Sequence, residues 1–228
     1  MTPPLFLNPE VIKSILKKAN DPKRKKDIES ISFPDLYGFL DGREKKLIKE
    51  FLLLNPRKYG FNGKFLGMKR VPRNIICIKN QKVLNRGKIQ RIEGQLLPKT
   101  VYDAYKKLNS GIKKDLGKKL LVGSGYRSPA YQVIIFLSSL EYTSFNFEKT
   151  VRWAAFPGYS EHGDPLRQAI DFMTEEGIPR DGALQEFEKT NEFKWLVRHA
   201  NKFGFYLSYP KNNKDGIMYE PWHWHLEQ

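Results

Sequence analysis

The sequence predicts an α+β fold: a small antiparallel sheet with flanking helices over residues 71–228, preceded by a helical, loop-rich extension over residues 1–70. Three observations predict it. Up to about residue 70 the apolar positions recur at helical spacing. From Arg73 onward, short runs of strand length alternate with helical stretches. Late in the chain, strand-like runs carry imidazoles and carboxylates where a sheet would gather them.

The elements follow in order. Asn8-Pro9-Glu10 supplies a capping side chain, a proline at the first helical position and an acid in the first turn, and Val11, Ile12, Ile15, Leu16 and Ala19 form one apolar stripe ending near Asn20. Pro22-Lys23-Arg24-Lys25-Lys26 is a solvated loop, with an anion-binding patch as its alternative. A second amphipathic helix after Asp41 carries Leu47, Ile48, Phe51 and Leu52 and stops before Asn55-Pro56. Ile75 to Ile78 and Lys88 to Ile92 read as strands, and a helix from Pro98 lines up Val101, Ala104, Tyr105 and Leu108. Lys119 to Val122 is a buried strand running into Gly123-Ser124-Gly125-Tyr126-Arg127-Ser128, and Ser128-Pro129 starts the next helix. Arg127 thus falls at a strand-to-helix junction, a place where side chains face clefts.

Trp153 to Asp164 is a Gly- and Pro-rich loop, and Gln168 to Phe172 is a strand. Asn191 to Phe203 is an amphipathic helix with Gly204 as its stop, and His199 lies on its apolar stripe as a boundary residue. Phe205 to Tyr209, Gly216 to Glu220 and Trp222 to Leu226 are the remaining strand candidates. No internal repeat or low-complexity tract is present.

Bulk properties narrow the class. With 228 residues, 40% hydrophobic, the chain is long enough for a substantial core. Its longest apolar run, Phe51 to Leu54, falls far short of the roughly 20 residues that span a bilayer, and Met1-Thr2-Pro3-Pro4 lacks the pattern of a signal peptide. We therefore expect no membrane span and leave the compartment open. Cys77 lies in an apolar run and is expected to be buried, and as the single cysteine it can form no intrachain disulfide. The formal net charge of +15 suits a polyanionic environment without naming a partner.

The chemistry concentrates at the C-terminus, where Tyr219-Glu220-Pro221-Trp222-His223-Trp224-His225 holds two of the four histidines. Such groups are costly to bury without partners, and a metal satisfies several at once. A hydrolytic zinc takes three ligands from His, Asp or Glu, and His162, Asp171 and His223 are the natural trio. Asp164 competes with Asp171 for the carboxylate position. Glu220, three residues before His223, is the candidate general base. His225, two residues along a strand, faces the same side as His223 as an outer or substrate-contacting group.

These residues occur in ordered motifs. Ser124-Gly125-Tyr126-Arg127-Ser128 with Gln132, Ser160-Glu161-His162 followed by Ala169-Ile170-Asp171, Gly204-Phe205 with Tyr209-Pro210, and Glu220-Pro221-Trp222-His223 together resemble the VanY-type zinc D-alanyl-D-alanine carboxypeptidases over roughly residues 90–226. The resemblance implies one zinc held by His162, Asp171 and His223, Glu220 as general base, Arg127 in catalysis and substrate contact, and Ser160 and Gln132 in substrate binding. It implies a peptidoglycan stem peptide as substrate and a wall-directed enzyme. Two departures stand out. His162 and Asp171 are nine residues apart where the family has seven, and His225 stands where the family often has arginine.

Rival readings are weaker. Ser14-Ile15-Leu16-Lys17 and Ser110-Gly111-Ile112-Lys113 fit the Ser-x-x-Lys of serine peptidases, but the companion motifs are missing. A phage-type peptidoglycan endopeptidase shares the site and differs in the bond cut. A basic wall- or nucleic-acid-binding module with a structural zinc would not need Glu220 and Arg127.

Overall fold

The computed structural model describes residues 7–23, 28–85, 87–179 and 184–227. Arg24 to Lys26 of the basic run lie outside them. In chain order the helices are α1 (Pro9–Ala19), α2 (Phe33–Gly38), α3 (Gly42–Leu52), α4 (Lys99–Leu116), α5 (Pro129–Tyr142), α6 (Phe147–Trp153), α7 (Leu184–Lys189) and α8 (Asn191–His199). The strands are β1 (Ile75–Ile78), β2 (Lys82–Asn85), β3 (Lys88–Arg91), β4 (Gln95–Pro98), β5 (Leu120–Ser124), β6 (Ala169–Thr174), β7 (Phe205–Leu207) and β8 (His223–Leu226). Two compact units are interleaved along the chain.

The first unit takes in residues 1–71, 127–163 and 212–218. Its centre is α5, whose buried residues, among them Val133, Ile134, Phe136, Leu137 and Leu140, point in several directions. A helix apolar nearly all round needs cover on more than one side. α1 provides it with Ile12, Ile15, Leu16 and Ala19, and α3 adds Phe51, whose ring lies 4.9 Å from that of Phe136. Phe147 and Phe156 complete the aromatic cluster. α3 starts with a full capping box between Asp41 and Glu44. The same buried Glu44 accepts from Lys18 Nζ at 2.6 Å and Ser14 Oγ at 2.7 Å, which ties α3 to α1.

The second unit takes in residues 72–126, 164–211 and 219–228. Its antiparallel sheet has the order β5-β6-β8-β7. α4 buries Val101, Tyr105, Leu108 and Ile112 in a core shared with Leu120, Val122, Ile170, Phe172, Phe205 and Trp224. The Tyr105 hydroxyl donates to Leu120 O at 2.8 Å, and burial pushes its pKa well up. Two small antiparallel pairs, β1 with β4 and β2 with β3, precede the sheet.

Two expectations are corrected. Cys77 is exposed, because β1 pairs only with β4 and leaves that position uncovered, with its thiol against Gly94. Gly216 to Glu220 is not a strand. Gly216 has φ +76° and packs on the Gly60 carbonyl, and the run's backbone bonds are single contacts such as Met218 N to Arg152 O, so no ladder forms. The motif helices and strands otherwise lie where the periodicity places them. The short β2, β4, α2, α6 and α7 were not anticipated.

Candidate metal centre

β6 and β8 carry the C-terminal cluster. Their register pairs Asp171 directly with His223 and Ala169 with His225, so both histidines project from one face of β8. Opposite Asp171 the ladder between β5 and β6 is irregular: Val122 pairs with Phe172, yet the next paired residue of β5 is Ser124. Gly123 is the extra residue, and a side chain there would press on the Asp171 carbonyl at 3.3 Å. A bulge of this kind re-aims the neighbouring side chain.

Glu220 reaches His223 through a turn. His223 N donates to Glu220 O at 3.1 Å, with Pro221 at the second position where its fixed φ suits the turn. The Trp224 indole N–H closes on Pro221 O at 2.9 Å and locks it. As a result Nδ1 of His223 lies 2.9 Å from Asp171 Oδ1 and 3.6 Å from Glu220 Oε2. The Tyr209 ring packs on the imidazole at 4.8 Å.

His162 sits in a single 3-10 turn, Glu161–Gly163, and is fully buried. Its carbonyl accepts from Arg127 N at 3.0 Å, and Gly163 comes so close to Arg127 O that a Cβ there would lie at 2.8 Å. Arg127 follows Gly125-Tyr126, where Gly125 packs against the Leu96 carbonyl with room for no side chain, 2.2 Å for a Cβ, and Tyr126 N donates to that same oxygen. Arg127 Nε is buried and has no hydrogen-bond partner among the described residues.

Within the second unit, Asp171 and His223 face each other across the ladder, and His162 is buried in the first unit. Two imidazoles and one carboxylate are donor types that zinc takes. Asp164 is placed differently: its Oδ1 accepts from Leu166 N at 3.1 Å and holds the turn of the enlarged loop.

The other candidates have defined settings. His225 Nδ1 lies 2.7 Å from Ser208 Oγ, and its Nε2 lies 2.9 Å from Arg167 Nη2. Glu227 Oε1, which only accepts, lies 3.4 Å from the same Nε2, so that nitrogen stands between a donor and an acceptor. Gln132 Nε2 donates to Ala155 O at 2.8 Å, anchoring the loop that leads to Ser160, which is buried. His199 is half-buried, packed on Trp195 with ring centroids 5.2 Å apart. Sequence reasoning passed over Arg167 and Ser208. Neither stands in a motif, and only the sheet register brings them to His225.

The profile of the VanY family, D-alanyl-D-alanine carboxypeptidase, matches residues 94–227. The chain belongs to that family. It is 35% identical over 137 residues to the putative carboxypeptidase YodJ of Bacillus subtilis (strain 168), covering 59% of this chain and 47% of that protein. It is 30% identical over 105 residues to a D-alanyl-D-alanine carboxypeptidase of Enterococcus faecium, covering 45% and 28%. The chain thus spans less than half the length of these curated relatives. Among solved structures, the LdcB LD-carboxypeptidase matches with a TM-score of 0.55 and 30% identity over 75% of this chain and 78% of that one. The family is zinc-dependent, in keeping with the donor set here. No described helix is long and apolar enough to cross a membrane.

Proposed function

We propose that this chain is a zinc carboxypeptidase that removes the C-terminal D-alanine from peptidoglycan stem peptides, foremost those ending in D-Ala-D-Ala. The observation that carries the reading is Asp171 and Glu220 both set against His223, in a chain of the VanY family whose ordered motifs also supply His162. His162, Asp171 and His223 would hold the zinc. A zinc held there would supply a Lewis acid for the scissile carbonyl and a water of pKa lowered toward about 7.

The remaining work falls to the chain's own groups. Glu220 accepts the proton of the attacking water and passes it to the leaving amine. Arg127 offers a planar fork of donors for a carboxylate or a developing oxyanion. Its buried Nε, without a described partner, is a donor available to such an anion.

One observation favours a second reading of the bond cut. The LdcB likeness covers more of both chains than either curated relative does, and LdcB is an LD-carboxypeptidase. The test is to digest stem pentapeptide and stem tetrapeptide separately and weigh the products. Release of D-alanine from the pentapeptide supports the D,D reading, and release only from the tetrapeptide replaces it with the L,D one. Loss of both activities on chelation, with recovery on adding zinc, is expected. Turnover that survives verified metal removal overturns the mechanism, as would inhibition by a β-lactam, which needs an acylatable serine.

A further inference from the structure

Residues 61–71 form no helix or strand and run as a strap over the loop that leads to His162. Leu66 N and Gly67 N both donate to Gly158 O, at 2.7 and 3.1 Å, and the Phe65 ring lies over Gly158 and edge-on to Tyr159 at 5.1 Å. Beyond this clamp, Met68 to Val71 form one wall of a groove of about 540 Å³, whose other lining includes Phe33, Pro34 and Pro129. That volume falls in the range of small-ligand sites.

The groove has an apolar body and a basic rim. Lys69 and Arg70 are exposed, and neither makes an ion pair with a described residue. The Ser128 hydroxyl in the lining is already used, since it donates to Ile31 O at 2.7 Å and accepts from Tyr131 N at 3.0 Å. The Ser32 hydroxyl, also in the lining, is likewise used, donating to Asp35 Oδ2 and accepting from Asp35 N, so the charged side chains of the lining are the two cations. The groove also starts next to groups of the proposed site. Ser128 is the residue after Arg127, and Pro129 packs against Gly163, the residue after His162.

We propose that this groove is a subsite for the acidic part of the peptide upstream of the scissile bond. Lys69 and Arg70 take its carboxylate, and its aliphatic stretches lie on Phe33, Pro34 and Met68. The proposal rests on the peptidase reading and extends it to residues that no motif covers.

The test compares two substrates with the same C-terminus: a neutral diacetyl-L-Lys-D-Ala-D-Ala and the acidic L-Ala-γ-D-Glu-L-Lys-D-Ala-D-Ala. In zinc-loaded Lys69→Ala/Arg70→Ala protein, KM for the acidic peptide should rise about threefold to tenfold, the scale of one or two partly exposed charge contacts. Its kcat, and both constants for the neutral peptide, should stay unchanged. Lys69→Glu/Arg70→Glu should raise KM further. Calorimetric binding of acetyl-L-Ala-γ-D-Glu-L-Lys, which has no scissile bond, should weaken in the same variants and with added salt. Circular dichroism melts confirm that the variants fold.

Equal KM shifts for both substrates, or none, overturn the subsite. So does tripeptide binding that ignores Lys69 and Arg70. If the wild type cleaves neither substrate nor the stem tetrapeptide yet binds the tripeptide through these cations, the peptidase reading fails and the groove stands as a peptide-binding site.

Discussion

Glu220 and Asp171 approach the same nitrogen of His223, yet their chemistry differs. Asp171 is placed by the ladder, while Glu220 stands on the turn before His223, with Oε2 3.6 Å from its Nδ1. Glu220→Gln should therefore keep fold and zinc content and lose turnover by a factor on the order of 10² or more, the contribution of a positioned general base. Near-normal turnover in steady-state assays would remove Glu220 from the role. Replacing His162, Asp171 or His223 by Ala should instead lower the zinc retained after dialysis, measured by atomic absorption. His225→Asn should retain stoichiometric zinc, with an effect on affinity or rate of at most about 10- to 100-fold through its neighbours Ser208 and Arg167. Should Asp164→Ala lose zinc while Asp171→Ala keeps it, the carboxylate ligand is misassigned.

Glu44 shows what a buried carboxylate does when its role is structural. Burial alone would raise its pKa, but the bonds from Lys18, the Asp41 N–H and Ser14 outweigh it and hold the value below the ordinary one. A depressed folded pKa means stability that is full above the unfolded value and is lost as the pH falls through the folded one. Glu44→Ala should thus destabilise at neutral pH by about 1–2 kcal/mol, from the lost cap and hydrogen bonds. Urea denaturation should find the gap between wild type and variant narrowing on acidification below about pH 4. A gap independent of pH would mean that the carboxylate's charge contributes nothing.

At the scale of elements, the close approach at Gly125 decides how the chain leaves β5. A Cβ 2.2 Å from the Leu96 carbonyl cannot be relieved by a side-chain rotation, since the obstacle is backbone. Gly125→Ala should cost about 2–4 kcal/mol in chemical denaturation and also impair catalysis by shifting Arg127. An unchanged midpoint would contradict the packing described.

Legibility in the sequence divides along the same lines. α1 and α3 were readable because caps and apolar stripes are local signals, and both start on the capping residue that the sequence supplies. The trio of candidate ligands was readable because few side chains do that chemistry and they stand in ordered motifs. What escaped depends on distant pairing. β4 is recognisable as a strand only once β1 lies beside it, and the exposure of Cys77 follows from how few strands that small sheet has. The bulge at Gly123 and the partners of His225 are likewise products of register, which residue type does not encode.

At the scale of the molecule, the family profile begins at residue 94, but the folding unit that holds Arg127 and His162 begins far earlier. α5 is covered by α1 and α3, so a recombinant chain trimmed to residues 94–228 would expose Val133, Phe136 and Leu137 to water. Such a trimmed chain should aggregate on expression, or bind hydrophobic dye and melt without a cooperative transition. A soluble, zinc-retaining fragment would refute this. For anyone transplanting the activity onto another protein, the portable piece is consequently not the stretch bearing the motifs. The first seventy residues travel with it as cargo that cannot be left behind, and a fusion partner belongs outside residue 7, not at residue 94.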